Sequence, residues 1–212
     1  MIEHVYRRAA AARGVDAAVV ATDDDRIAAA VVQFGGIVRL TQVSHRSGTD
    51  RIAEVARDLA CNLVVNVQGD EPLIEPQMIT EAIDALHDAG VMMSTLRRRI
   101  THAPDIHDPN VVKVIVDRNG DALLFARLLP FRRHDGPSYK HIGLYVYRRD
   151  FLLKVAALPP TPLEVSESLE QLRVLEHGFR IRAVETQYDS IGVDTPEDLE
   201  RVRRQMAVGT NA

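Results

Sequence analysis

Short, unbroken apolar runs constrain this chain more than any other feature. Residues 16–22 (DAAVVAT) and the head of 64–74 (VVNVQGDEPLI) show no wet face, and each reads as a strand buried on both sides. Helical patterns lie between them. Asp23 can cap a helix through Gln33 that Gly35-Gly36 closes, and residues 37–41 make a further short strand. In SHRSGTDRIAEV, residues 44–55, the polar half leads into Ile52, Val55, Ala56 and Leu59 at helical spacing. Residues 77–89 are amphipathic with Ile79, Ile83 and Leu86 inward, and residues 162–178 read as one helix with Leu169, Leu172 and Leu175 inward. Alternating strands and helices predict an α/β fold with a mixed, largely parallel sheet flanked by helices.

One stretch breaks that alternation. Residues 111–127 (VVKVIVDRNGDALLFAR) hold two apolar runs around Asn119-Gly120, a strong hairpin signal, and KHIGLYVYR follows as another strand. An antiparallel hairpin here predicts a small lobe, about residues 111–150, that covers a site and pairs with a second subunit. With 212 residues, 46% of them hydrophobic, the whole chain 1–212 is expected to form one domain. The net charge of −4 offers no general attraction for nucleic acid or an anionic membrane. The single cysteine, Cys61, excludes an internal disulfide framework and is expected to be buried. No apolar run reaches the roughly 18 residues a membrane span needs, and a cytoplasmic location is expected.

The polar residues at element ends carry the chemistry. The central strand stops at Gln68-Gly69-Asp70-Glu71-Pro72, and strand ends are where open α/β sheets bind ligands. Taken alone, Asp70-Glu71 is either the start of a turn or a hard oxygen platform for Mg²⁺. Asp194, in GVDTPEDLERVRRQM, also ends an apolar stretch ahead of a helix, so the two carboxylates can meet over a sheet and leave positions open for phosphate. Ser47, Gly48 and Thr49 lie where a helix begins, as a cap or as a site for an anion or a base edge. Arg127 could grip a carboxylate bidentately, and Glu170 and Gln171 could meet a hydroxyl-rich ligand. HExxH, CxxC, EF-hand, Walker A, GxGxxG and GxSxG patterns are all absent. Metal-assisted nucleotide chemistry is what remains.

The motifs VVNVQGDEPLI, SHRSGTDRIAEV, HIGLY, LEQLRVLEHG and GVDTPEDLERVR, in this order, resemble the 3-deoxy-manno-octulosonate (Kdo) cytidylyltransferases, or CMP-Kdo synthetases. The resemblance runs from Met1 almost to the C-terminus. It implies a Rossmann-like, nucleotide-diphospho-sugar transferase (GT-A-like) mixed sheet with a dimerisation lobe. It further implies a homodimer that uses CTP, Kdo and Mg²⁺ to make CMP-Kdo for lipopolysaccharide. By the same resemblance Asp70 and Asp194 are the Mg²⁺ ligands and catalytic carboxylates, and Gln68 is close to the sugar. Arg127, His141, Tyr145, Glu170 and Gln171 contact Kdo, and Thr41, Ser47 and Gly48 surround the cytidine.

The sequence departs from the family pattern at two places. Met1 aligns just beyond the family's first strand and phosphate loop, of the form IPAR followed by STRLPGKPL, and the expectation is a chain truncated relative to the family. The family's YFSR stands here as Leu124-Phe125-Ala126-Arg127, which keeps the arginine. Two other functions fit the same residues: a cytidylyltransferase for a different acidic acceptor, and a non-catalytic binding module.

Overall fold

The computed structural model of the chain describes residues 1–129, 136–193 and 195–209. In chain order it forms α1 (Ile2–Ala10), β1 (Val20–Thr22), α2 (Asp25–Gln33), β2 (Val38–Leu40), α3 (Gly48–Arg57), β3 (Leu63–Asn66) and α4 (Pro76–Asp84). Then follow β4 (Met93–Arg99), β5 (Lys113–Val116), β6 (Ala122–Ala126), β7 (Tyr139–Arg148), α5 (Arg149–Ala156), α6 (Pro162–Glu167), α7 (Leu172–Glu176), β8 (Arg182–Glu185) and α8 (Pro196–Gly209). The alternation expected from the sequence is present, and so is the hairpin. Asn119-Gly120 turns the chain between antiparallel β5 and β6, with Gly120 at φ 83°, a backbone state glycine adopts without a Cβ penalty.

Among the described residues the strands form two sheets. β1 and β2 pair in parallel, and a six-stranded sheet has the order β6-β5-β7-β4-β8 with β3 also on β7. β3, β4 and β8 all run against β7 or with one another, so their carboxyl ends lie at one edge of the sheet, beside the amino end of β7. β7 is the spine. β3 pairs with it from Arg148 to Tyr145, and β5 takes over at Lys140 and Tyr139. Between these two partners Ile142 to Leu144 have no partner strand on that side of β7, while the His141 amide donates to the Val112 carbonyl at 2.8 Å.

The residues of β7 alternate between two cores. Tyr145 and Tyr147 point toward Met93, Phe125, Phe151 and Leu172, whereas Leu144 and Val146 pack with Ile74, Met78, Ile79 and Leu96. Burying both faces follows from the near-continuous apolar character of these strands. A bulge breaks the β4–β7 register between Thr95, opposite Tyr145, and Leu96, opposite Ile142. The Thr95 hydroxyl reaches the carbonyls of Leu144 at 2.8 Å and Ile142 at 3.2 Å, satisfying groups the bulge would leave unpaired.

Four expectations need correction. Asp24, not Asp23, caps α2, accepting from the Arg26 and Ile27 amides; Asp23 pairs instead with Arg51 at 2.9 Å. The strand expected over 16–22 is only Val20–Thr22, because β1 is held along one side alone, by β2. Cys61 is half-buried in the approach to β3. The single helix expected over 162–178 is two. Ser168 takes a left-handed conformation, φ 53° and ψ 47°, between α6 and α7. A buried bidentate pair fixes that break: Arg173 donates to Glu164 at 2.8 and 2.5 Å, while Glu164 also accepts from the Thr161 amide at 3.1 Å.

Candidate functional site

The helix break matters because it delivers Glu170 and Gln171 side by side at the start of α7, over the face of the sheet that carries Tyr145 and Tyr147. Gln171 is 5% exposed and its Nε2 has no partner among the described residues; the same holds for Glu170 Oε1. Unpaired buried polar atoms cost about 1–3 kcal/mol each, which a hydroxyl-bearing ligand would recover. The other Glu170 oxygen accepts from the Thr49 hydroxyl at 2.8 Å. Thr49 follows Ser47 and Gly48, so this bond joins the residues expected around a nucleotide to those expected around an acceptor.

His141 and Tyr145 continue the same row along β7. The His141 ring lies edge-on to Phe125 at 4.9 Å and tilted against Tyr145 at 5.5 Å. Burial pushes its pKa from 6.5 down to about 3, so it is neutral at physiological pH. Its Nε2 is 2.9 Å from the Thr95 hydroxyl. That hydroxyl has one proton, which it gives to the main chain at the bulge, so it accepts from Nε2–H. The Nδ1 lone pair is then left to accept a ligand proton. Burial, with Tyr147 and Glu170 nearby, raises the Tyr145 pKa well above 10, keeping its hydroxyl a donor.

Gln68 and Asp70 are half-buried in the turn beyond β3. The Asp70 carbonyl accepts from the Val193 amide at 2.9 Å, which brings the connector ahead of α8 onto this turn. Asp194 lies outside the described residues. Thr195, next to it, caps α8 reciprocally with Asp198. Among the described residues no group of three or more His, Cys, Asp and Glu could hold a metal ion. One or two carboxylates completed by phosphate oxygens is the pattern Mg²⁺ favours, and Asp70 fits that role by chemistry and position.

The remaining expected residues are placed by their own bonds. Ser47 is the N-cap of α3, its hydroxyl accepting from the Asp50 amide at 3.1 Å, and Gly48 opens the helix with free space where a Cβ would stand. Thr41 is buried and accepts from Arg51 at 2.5 Å; Arg51 also holds Asp23, so it ties the ends of β1 and β2 together. Arg127 donates through Nε to the Glu167 carbonyl and through Nη1 to the Pro109 carbonyl, joining the end of β6 to α6. Thus Thr49, Glu170, Tyr145 and His141 form one continuous row, with Gln171 beside it. Thr41 and Arg127 stand in separate networks.

Sequence reasoning missed Thr95, Arg51 and Tyr147. Thr49 stood in the sequence beside Ser47 and Gly48 at the start of a helix, but its bond to Glu170 is set by the tertiary structure. Thr95 sits in an apolar strand with nothing local to mark it.

A family model described as "Cytidylyltransferase" matches residues 1–182. A 3-deoxy-manno-octulosonate cytidylyltransferase of Geobacter metallireducens is 54% identical over 222 residues, covering 98% of this chain and 87% of that one. The protein of the same name from Geobacter sulfurreducens is 55% identical over 221 residues, covering 97% and 88%. Among solved structures, a CMP:2-keto-3-deoxy-manno-octonic acid synthetase complexed with CTP superposes with a TM-score of 0.93 at 41% identity, over 98% of this chain and 88% of that one. A 4-diphosphocytidyl-2C-methyl-D-erythritol synthase from Anaerococcus prevotii, at a TM-score of 0.64 and 15% identity, over 97% and 88% of the two chains, shares the fold. On the family match and these relatives, which cover nearly all of it, the chain belongs to the cytidylyltransferase family.

Proposed function

We propose that this protein transfers the cytidylyl group of CTP to Kdo, releasing pyrophosphate and forming CMP-Kdo for lipopolysaccharide synthesis. The observation that carries the reading is the row of Thr49, which is buried, and Glu170, Tyr145 and His141, which are half-buried, with the buried Gln171 beside it. It offers unpaired polar atoms, a neutral imidazole and a protonated phenol to a hydroxyl-rich acceptor. The Kdo 2-hydroxyl oxygen forms its bond to the α-phosphorus as the bond to the pyrophosphate oxygen breaks.

The protein supplies positioning. Glu170, Gln171, His141 and Tyr145 orient the sugar hydroxyls, Gln68 borders the sugar at the strand end, and Arg127 meets the carboxylate with whatever donor capacity its main-chain bonds leave. Thr41, Ser47 and Gly48 surround the cytidine, where the start of α3 offers free amides. Asp70 and Asp194 would hold Mg²⁺. When bound, the ion neutralises phosphate charge and orients both reactants. Leu123 and Leu128 are exposed on and just beyond β6, the outer strand of the lobe, and this supports a homodimer formed there. A cytoplasmic location follows from the substrate, since CTP is made and kept there.

The experiment is pyrophosphate release from CTP with Kdo and a panel of other 2-keto sugar acids. Kdo is expected to give the highest kcat/KM; equal or faster turnover of another acid overturns the acceptor assignment. Asp70→Asn is expected to reduce turnover by a factor of a hundred or more, on the order of 3 kcal/mol in the barrier. A wild-type rate in that variant removes Asp70 from the site.

A further inference from the structure

The connector from β8 to α8 is bonded more heavily than a surface connector needs. Thr186 donates its amide to the Arg97 carbonyl at 2.9 Å. The Asp189 carboxylate, 38% exposed, pairs with Arg98 of β4 through one oxygen and with Lys140 of β7 at 2.5 Å through the other. The Ser190 hydroxyl donates to the Glu71 carboxylate. Val193 then donates its amide to the Asp70 carbonyl at 2.9 Å. The connector starts at β8 on the sheet edge and must cross the ends of β4 and β7 to reach the turn beyond β3.

Electrostatics explains where it crosses. Arg98 and Lys140 are direct partners in the β4–β7 register, and like charges opposite each other destabilise a ladder. Asp189 lies between them and pairs with both, which offsets their mutual repulsion. The same three side chains form one wall of a polar cleft of about 470 Å³. The fold therefore has a place for one carboxylate at this point, and the residue that fills it belongs to the segment leading to Asp70.

We infer that residues 186–193 are a positioning strap for the metal-binding turn. The Arg98–Asp189–Lys140 triad and the Ser190–Glu71 bond draw the connector across the strand ends and hold residues 68–71 in one geometry. Asp189 and Ser190 are positioning residues: they act through the backbone of Asp70. The inference rests on the reading of Asp70 as a ligand of Mg²⁺, and two independent readouts separate the strap from that reading.

The first readout needs no metal. In Asp189→Asn, which keeps shape and removes charge, amide exchange in residues 68–71 and 187–193 should be several-fold faster, with β4 and β7 unchanged. Unchanged exchange overturns the strap. The second is Mn²⁺ titration followed by electron paramagnetic resonance. Asp189→Asn should raise the Mn²⁺ dissociation constant by about tenfold, as loss of a partner behind a metal ligand does. Asp189→Glu, which keeps the charge, should recover most of that affinity. Faster exchange with unaltered Mn²⁺ affinity, or an equal loss in the Glu variant, overturns the positioning role. Asp70→Asn is the control. If it binds Mn²⁺ as the wild type does, the metal reading fails, and the exchange data still decide the strap.

Discussion

His141 is held neutral by its surroundings, and this makes the fold sensitive to acid. Its folded pKa of about 3 lies below the ordinary 6.5, so between these values the unfolded chain binds a proton that the folded chain does not. Stability from this group is complete above pH 6.5 and is lost as pH falls toward 3, at up to about 1.4 kcal/mol per pH unit. Urea unfolding of the wild type and of His141→Asn at pH 7 and pH 5 checks it: the variant should lose less stability between the two. For Gln171, truncation to alanine should raise KM for Kdo about tenfold, or ~1.4 kcal/mol, with KM for CTP nearly unchanged. Steady-state kinetics with each substrate varied in turn measure this, and the reverse order would contradict the acceptor assignment. In the sequence Gln171 stood out by its helix position and by motif resemblance, and His141 by the resemblance. Thr95 of β4 partners His141, and Thr49 of α3 bonds Glu170 beside Gln171; burial by those elements sets the chemistry.

The break between α6 and α7 is the element on which the acceptor site depends. Apolar spacing over 162–178 is satisfied equally by one helix or two, because Leu169 and Leu172 are buried either way. What selects two helices is the Arg173–Glu164 pair, whose side chains are 8% and 11% exposed. Removing one member of a buried pair leaves the other charge uncompensated, so Arg173→Met should destabilise the protein by about 3–5 kcal/mol, read by thermal or urea unfolding. The β5–β6 hairpin shows the opposite case. Asn119-Gly120 specified it locally, and Gly120→Ala, forced to keep φ 83°, should cost about 1 kcal/mol by the same measurement.

At the scale of the whole molecule, β1 and β2 form a ladder separate from the six-stranded sheet among the described residues, joined to the rest by helix packing from α1 and α3. Residues 16–43 should therefore exchange amide hydrogens faster than β4 and β7, which are paired on both sides and carry both cores. Hydrogen exchange with peptide resolution tests this; equal protection would mean that one cooperative unit spans both sheets. The sequence by itself determined the α/β class, the hairpin, the strand end bearing Gln68 and Asp70, and the family, because each rests on periodicity, turn chemistry or a contiguous motif. Only the tertiary structure decided that His141 is neutral, that Glu170 and Gln171 sit at a helix break, and that the segment around Asp189 lies across the ends of β4 and β7. Those outcomes depend on burial and on charges brought together from distant parts of the chain, and a linear pattern of residues carries neither.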